Sequence, residues 1–134
     1  MSFDWHKYVV LASELLEANK TKDMEEAYFR SSISRSYYGV FCLARNKKGL
    51  QTHEEGNVHR KVIDEYKTSN NKNEKKVGHN LDELRRLRNR ADYNEGHKVD
   101  KDIADRAIGI AEAVISQIDQ PSSLQENTRA QESK

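Results

Sequence analysis

"AYFRSSISRSYYGVFCLAR", residues 27–45, is the stretch on which the fold turns. Phe29, Ile33, Tyr37, Val40 and Ala44 recur at the three- and four-residue steps that put side chains on one face of an α-helix. Tyr38 and Cys42 fall near the opposite side, with the small Ser31 between them. A helix that is apolar on two sides is covered by neighbours on both, or lies in a subunit interface. The stretch therefore predicts the central helix of an all-α protein. It starts near Asp23, whose spacing to Glu26 fits a capping box, and runs to about Asn46.

The flanking sequence supplies partners for that helix. Ser2 is placed to cap a first helix in which Trp5, Tyr8, Val9, Ala12, Leu15 and Leu16 repeat with helical period. After a loop containing Gly49, Thr52 and Glu55 again have capping-box spacing, and Val58, Val62 and Tyr66 support a third helix with Gly56 in its first turn. "TSNNKNEKK", residues 68–76, is too polar to pack and reads as a mobile loop. Leu81, Leu84, Leu87 and Ala91 mark a fourth helix. A fifth begins at Asp100, carries Ile103, Ala104, Ala107, Ile108, Ala111, Val114, Ile115 and Ile118, and is stopped by Pro121. The expectation is an antiparallel four- to five-helix bundle over residues 1–120. Residues 121–134 have almost no apolar content and are expected to be a disordered tail.

Composition limits the function classes. The chain has 134 residues, 35% hydrophobic and 34% charged, enough for one thin core. Its 23 basic and 22 acidic residues leave a formal charge of +1, so a polyanion site has to be local. One cysteine excludes an internal disulfide framework and a multi-cysteine zinc site, and no His-Glu-x-x-His pattern or glycine-rich phosphate loop is present. No metal or cofactor is expected. With no apolar run of membrane-spanning length and no signal-peptide pattern, the expected compartment is the cytoplasm.

The local concentration of charge is "LRRLRNRADY", residues 84–93. With Leu84 at 0° and a turn of about 100° per residue, Arg88 falls at about 40°, inside the stripe of Leu81, Leu84, Leu87 and Ala91. Arg86 and Arg90 point to water, while Arg85 and Asp92 sit on the flank. Arg88 either packs its stem and pairs with Asp92 one turn on, or is held with Asn89 and Asp92 for a phosphate; both can hold at once. Of the five histidines, His97 lies closest to the arginines in sequence and is the candidate proton carrier, although an exposed loop histidine without a role fits the pattern as well.

Together, "SRSYYGVFCLAR" (34–45), "HRKVIDEY" (59–66) and "LRNRADY" (87–93) resemble the HEPN superfamily, in particular its small stand-alone prokaryotic members with an Arg-x-x-Ala-Asp-Tyr signature. Arg88, Ala91, Asp92 and Tyr93 match that signature, and the similarity covers most of residues 5–118. The resemblance implies a helical bundle that pairs into a homodimer, with the arginine motifs facing each other across a cleft. Active members carry an arginine, a polar residue, then a histidine after a total gap of four to six residues, and cut RNA without metal. Here the position five after Arg88 is Tyr93, and His97 is in range only when counted from Arg90. The resemblance therefore implies binding of RNA or nucleotide more directly than cleavage.

The site it implies uses Arg88 on the phosphate, Asn89 to orient it, and His97 or Tyr93 to handle a proton. Arg35, Arg85, Arg86 and Arg90 contact RNA or phosphate, and Tyr38, His59 and Asp92 support them. A role in a toxin-antitoxin or phage-defence module follows for the family's ribonucleases. The alternatives are a non-catalytic module that binds a nucleotidyltransferase partner or nucleotide, with Tyr93 the tyrosine nearest the arginine motif, and a purely structural helical dimer.

Overall fold

The computed structural model describes residues 2–50 and 57–119. Five α-helices account for most of them: α1 (His6–Glu17), α2 (Glu25–Lys47), α3 (Val58–Lys67), α4 (Lys72–Tyr93) and α5 (Lys101–Ile118), with a 3-10 turn at Lys22–Met24 ahead of α2. No strand occurs among the described residues, so the protein is all-α. None of these helices is long and apolar enough to cross a membrane. The expected capping box of Thr52 and Glu55, the stop at Pro121 and the tail at 121–134 lie outside the described residues.

Helix α2 is central, packing against α1, α3, α4 and α5. Its predicted apolar face is buried along its length, with Ile33, Tyr37, Val40 and Ala44 fully enclosed. Burying each large side chain in that row contributes about 1.5–3 kcal/mol. The second side is covered within the chain only at one end: Cys42 is buried, which pushes its thiol pKa up, while Tyr38 is partly covered and Ser31 is exposed. Cys42 therefore gives no reason for a second subunit. The exposed large apolar side chains are Phe3, Val10, Leu11, Met24 and Tyr93.

Small residues on α2 let α1 approach closely. The Ser32 hydroxyl donates to the carbonyl of Ala12 (2.8 Å) and the Ser36 hydroxyl to that of Ile33 (2.8 Å), so neither brings an unpaired polar group into the interior. At Gly39 an added Cβ would stand 2.9 Å from Val9 Cγ2, 3.0 Å from Tyr8 Cβ and 3.1 Å from the Trp5 carbonyl oxygen. Gly49 ends α2 with φ +68°, and the bonds Gly49 N–H to Asn46 (3.0 Å) and Leu50 N–H to Arg45 (3.0 Å) close the left-handed cap that glycine favours.

Three helix starts differ from the sequence expectation, each for a capping reason. Ser2 is too far upstream to cap α1; Asp4 accepts the His6 N–H instead (3.1 Å). Asp23 and Glu26 form no capping box, because the Glu26 carboxylate is taken by Arg30 (2.9 Å) and the Val99 N–H (3.1 Å). Residues 72–76 are helical rather than a mobile loop. Asn71 caps α4 by accepting the Glu74 N–H (3.0 Å), while Ser69 (2.6 Å) and Lys48 (3.0 Å) bind the Glu74 carboxylate. Polar residues there serve as caps and ties between helices.

If Gly39 is present for the α1–α2 approach, Gly39→Ala should lower the unfolding free energy by about 1–3 kcal/mol, as overpacking does. Urea denaturation checks this, and an unchanged midpoint would show that the two helices separate freely.

Candidate functional site

Helix periodicity turns Arg88 inward, and its residue is 5% exposed between Leu84 and Ala91. Three aromatic rings enclose the guanidinium, whose carbon lies 5.2 Å from the Tyr37 centroid, 5.0 Å from Tyr38 and 5.7 Å from Tyr93. Nη1 is 3.5 Å from an Asp92 carboxylate oxygen and 3.5 Å from the Tyr93 hydroxyl, both long contacts, and Nε has no hydrogen-bond partner. The charge is thus held by ring faces more than by its counter-ion. Asp92 is steadied in turn by the Ser34 hydroxyl (3.2 Å), to which Arg35 donates (3.4 Å).

Two further guanidiniums border this group. Arg35 lies over Tyr8 (4.8 Å) and Tyr38 (5.7 Å). Arg85 is half-buried with its Nε unpartnered. Among the described residues neither of them pairs with a carboxylate, so Asp92 is the one acid set against three arginines. Arg86, by contrast, is exposed and paired with Asp82 (3.3 Å), which also holds Lys67 (3.0 Å).

His59 is the histidine that the fold brings to this cluster. Its Nδ1 is 2.6 Å from the Tyr37 hydroxyl, and its ring stacks on Phe41 with centroids 4.3 Å apart. Burial, with the charges of Arg85 and Arg88, pushes its pKa down from 6.5 to about 4, while burial pushes the Tyr37 hydroxyl up. Both groups are neutral near pH 7, and they share one hydrogen bond between the phenol oxygen and Nδ1.

His97 is not brought to Arg88. With Leu87, Arg90, Val99, Ile103 and Arg106 it lines a separate cavity of about 170 Å³ between α4 and α5. Asn89 is exposed, and its side chain makes no hydrogen bond among the described residues. Tyr93, at the end of α4, is 75% exposed. Arg88, Asp92, Tyr93, Tyr38, Arg35, Arg85 and His59 are therefore neighbours, while Arg86, Arg90 and His97 face elsewhere.

Sequence reasoning passed over two residues with a part here. Tyr37 counts there only as core, yet it carries both the Arg88 contact and the His59 hydrogen bond. Arg30 gave no signal, because its partners lie far along the chain. It donates to the carbonyls of Arg90 (3.2 Å), Ala91 (2.8 Å), Asn94 (3.2 Å) and His97, and so caps the end of α4 and holds the connection to α5. Glu26 fixes that guanidinium in place.

The HEPN domain family matches residues 11–120, and the chain belongs to it. Neither curated proteins nor solved structures gave a match.

The fold favours neutral His59, so its contribution to stability is complete above about pH 6.5 and is lost as the pH falls toward 4, where the unfolded chain takes up the proton first. Wild type should therefore lose more unfolding free energy than His59→Gln across that window. Parallel denaturation curves at pH 7, 6, 5 and 4 check this; equal losses would mean that His59 is not sheltered.

Proposed function

We propose that this HEPN protein binds RNA or nucleotide phosphates at the arginine cluster of α2 and α4, as part of a toxin-antitoxin or phage-defence module. The observation that carries the reading is the charge imbalance: among the described residues, Arg35, Arg85 and Arg88 border one group of side chains in which Asp92 is the paired acid. Charge left unbalanced in a partly sheltered place attracts an anion more strongly than the same charge in open water. Arg35 and Arg85, at the edge, reach phosphate oxygens. Arg88 supplies charge from beneath Tyr38 and Tyr93, and touches phosphate directly when the exposed Tyr93 side chain moves aside. Homodimerisation, with two such clusters lining one cleft, belongs to the same proposal.

Cleavage in this family's manner, a metal-independent attack of the 2′-hydroxyl on the phosphate, needs a proton acceptor beside the arginine. His97 lines the cavity on the α5 side, which favours binding over cleavage by a single chain. A second reading is favoured by Tyr93, whose exposure of 75% at the end of α4 fits a tyrosine presented to a nucleotidyltransferase partner.

The test is RNA binding in chelator by wild type, Arg88→Ala, Arg85→Ala and Arg90→Ala, with folding monitored alongside. Loss of Arg88 or Arg85 should weaken binding by about 1.5–3 kcal/mol, the worth of a charge-assisted contact. Arg90→Ala, on the side of the α4–α5 cavity, is the control and should weaken binding less than either. Wild-type affinity in folded Arg88→Ala and Arg85→Ala would remove the site. Cyclic-phosphate ends on the RNA would establish cleavage, and a light-scattering mass of one chain at micromolar concentration would remove the paired cleft.

A further inference from the structure

The arginine cluster does not end at Arg35. Tyr8, over which the Arg35 guanidinium lies at 4.8 Å, is also 5.0 Å from Trp5 and 5.4 Å from Phe3, and Phe3 and Trp5 are 4.9 Å apart. Phe3, Trp5 and Tyr8 form a closed edge-to-face triad, and from Tyr8 the contacts continue through Arg35 and Tyr38 to Arg88, in steps of 4.8–5.7 Å. The order is set by the fold: Gly39 lets the start of α1 lie against α2 beside Tyr38. Packing does not account for the whole row, since Phe3 is 50% exposed and Trp5, Tyr8 and Tyr38 are only partly covered. Asp4, between Phe3 and Trp5 in the chain, is engaged by His6 at 2.8 Å.

We infer that Phe3, Trp5 and Tyr8, joined through Arg35 and Tyr38 to Arg88, form a base-stacking track for single-stranded RNA that leads into the arginine cluster. The inference rests on the phosphate-binding reading above and adds the form of RNA that is bound. Alternating rings and cations suit an unpaired strand, whose bases offer open faces for stacking while its phosphates meet the guanidiniums. A duplex keeps its base faces covered, and the ring row has nothing to hold in it. Trp5 is the one tryptophan of the chain, so its fluorescence reports occupancy of the far end of the track.

The experiment titrates the full chain, at low salt, with an unstructured twelve-nucleotide RNA, a trinucleotide, and the twelve-nucleotide sequence as a duplex. The longer single strand should bind about tenfold more tightly than the trinucleotide and quench Trp5. Phe3 precedes α1 and is half exposed, so Phe3→Ala leaves the bundle intact. It should weaken the twelve-nucleotide RNA by at least about fivefold and leave the trinucleotide unchanged, with Phe3→Tyr retaining wild-type affinity. Arg85→Ala should weaken both. Equal affinity for the two single strands, no quenching, an unaffected Phe3→Ala or equal binding of the duplex would overturn the track, while trinucleotide binding would leave the arginine cluster standing. Failure of wild type to bind any of the three would overturn both readings. A halved light-scattering mass for Phe3→Ala would assign the aromatic end to contact between copies and overturn the track.

Discussion

Helix α2 is the one that the other four helices all pack against, and the rest of the molecule is arranged by how its buried faces are covered. Large side chains meet α4 and α5, while Ser32, Ser36 and Gly39 bring α1 in close. A larger residue at Gly39 would push α1 outward and separate Tyr8 from Arg35. The same glycine therefore serves both the packing of the bundle and the continuity of the ring and guanidinium row.

Against this background a buried arginine asks for a reason. An apolar side chain at position 88 would fill the stripe between Leu84 and Ala91 at no cost in desolvated charge, and replacing a buried ion pair by well-packed hydrophobes is often neutral or stabilising. The compensation that Arg88 receives is incomplete, because Asp92 is 3.5 Å away and Nε is unpartnered. Three tyrosine faces lower the cost without cancelling the charge. Folding alone does not call for that arrangement. An anion at the proposed site would.

Much of this was legible in the sequence because helical period is a local property. The row from Phe29 to Ala44, the α5 stripe and the inward turn of Arg88 follow from 3.6 residues per turn, and the structure buries them. What was not legible depended on distant partners. Residues 72–76 read as a loop because their polarity has no local explanation; the ties from Glu74 to Lys48 and Ser69 supply one. Glu26 looked like a cap, and Val99, far along the chain, decides its actual use.

The two histidines carry the same lesson to the site. His97 lies near Arg88 in sequence, but helix direction matters more than sequence distance. A residue just past the end of α4 can turn to either side, and Arg30 binds the carbonyls of Asn94 and His97 so that the connection is held, with the His97 ring among Leu87, Arg90 and Ile103. His59 lies on a different helix altogether and meets the cluster through one hydroxyl, that of Tyr37. Neutral and sheltered, it shares a hydrogen bond with Tyr37 where a cation would repel Arg85 and Arg88, and so it holds Tyr37 under Arg88 without adding to the charge already gathered there. Among the described residues the positive charge at this face is therefore carried by the guanidiniums of Arg35, Arg85 and Arg88.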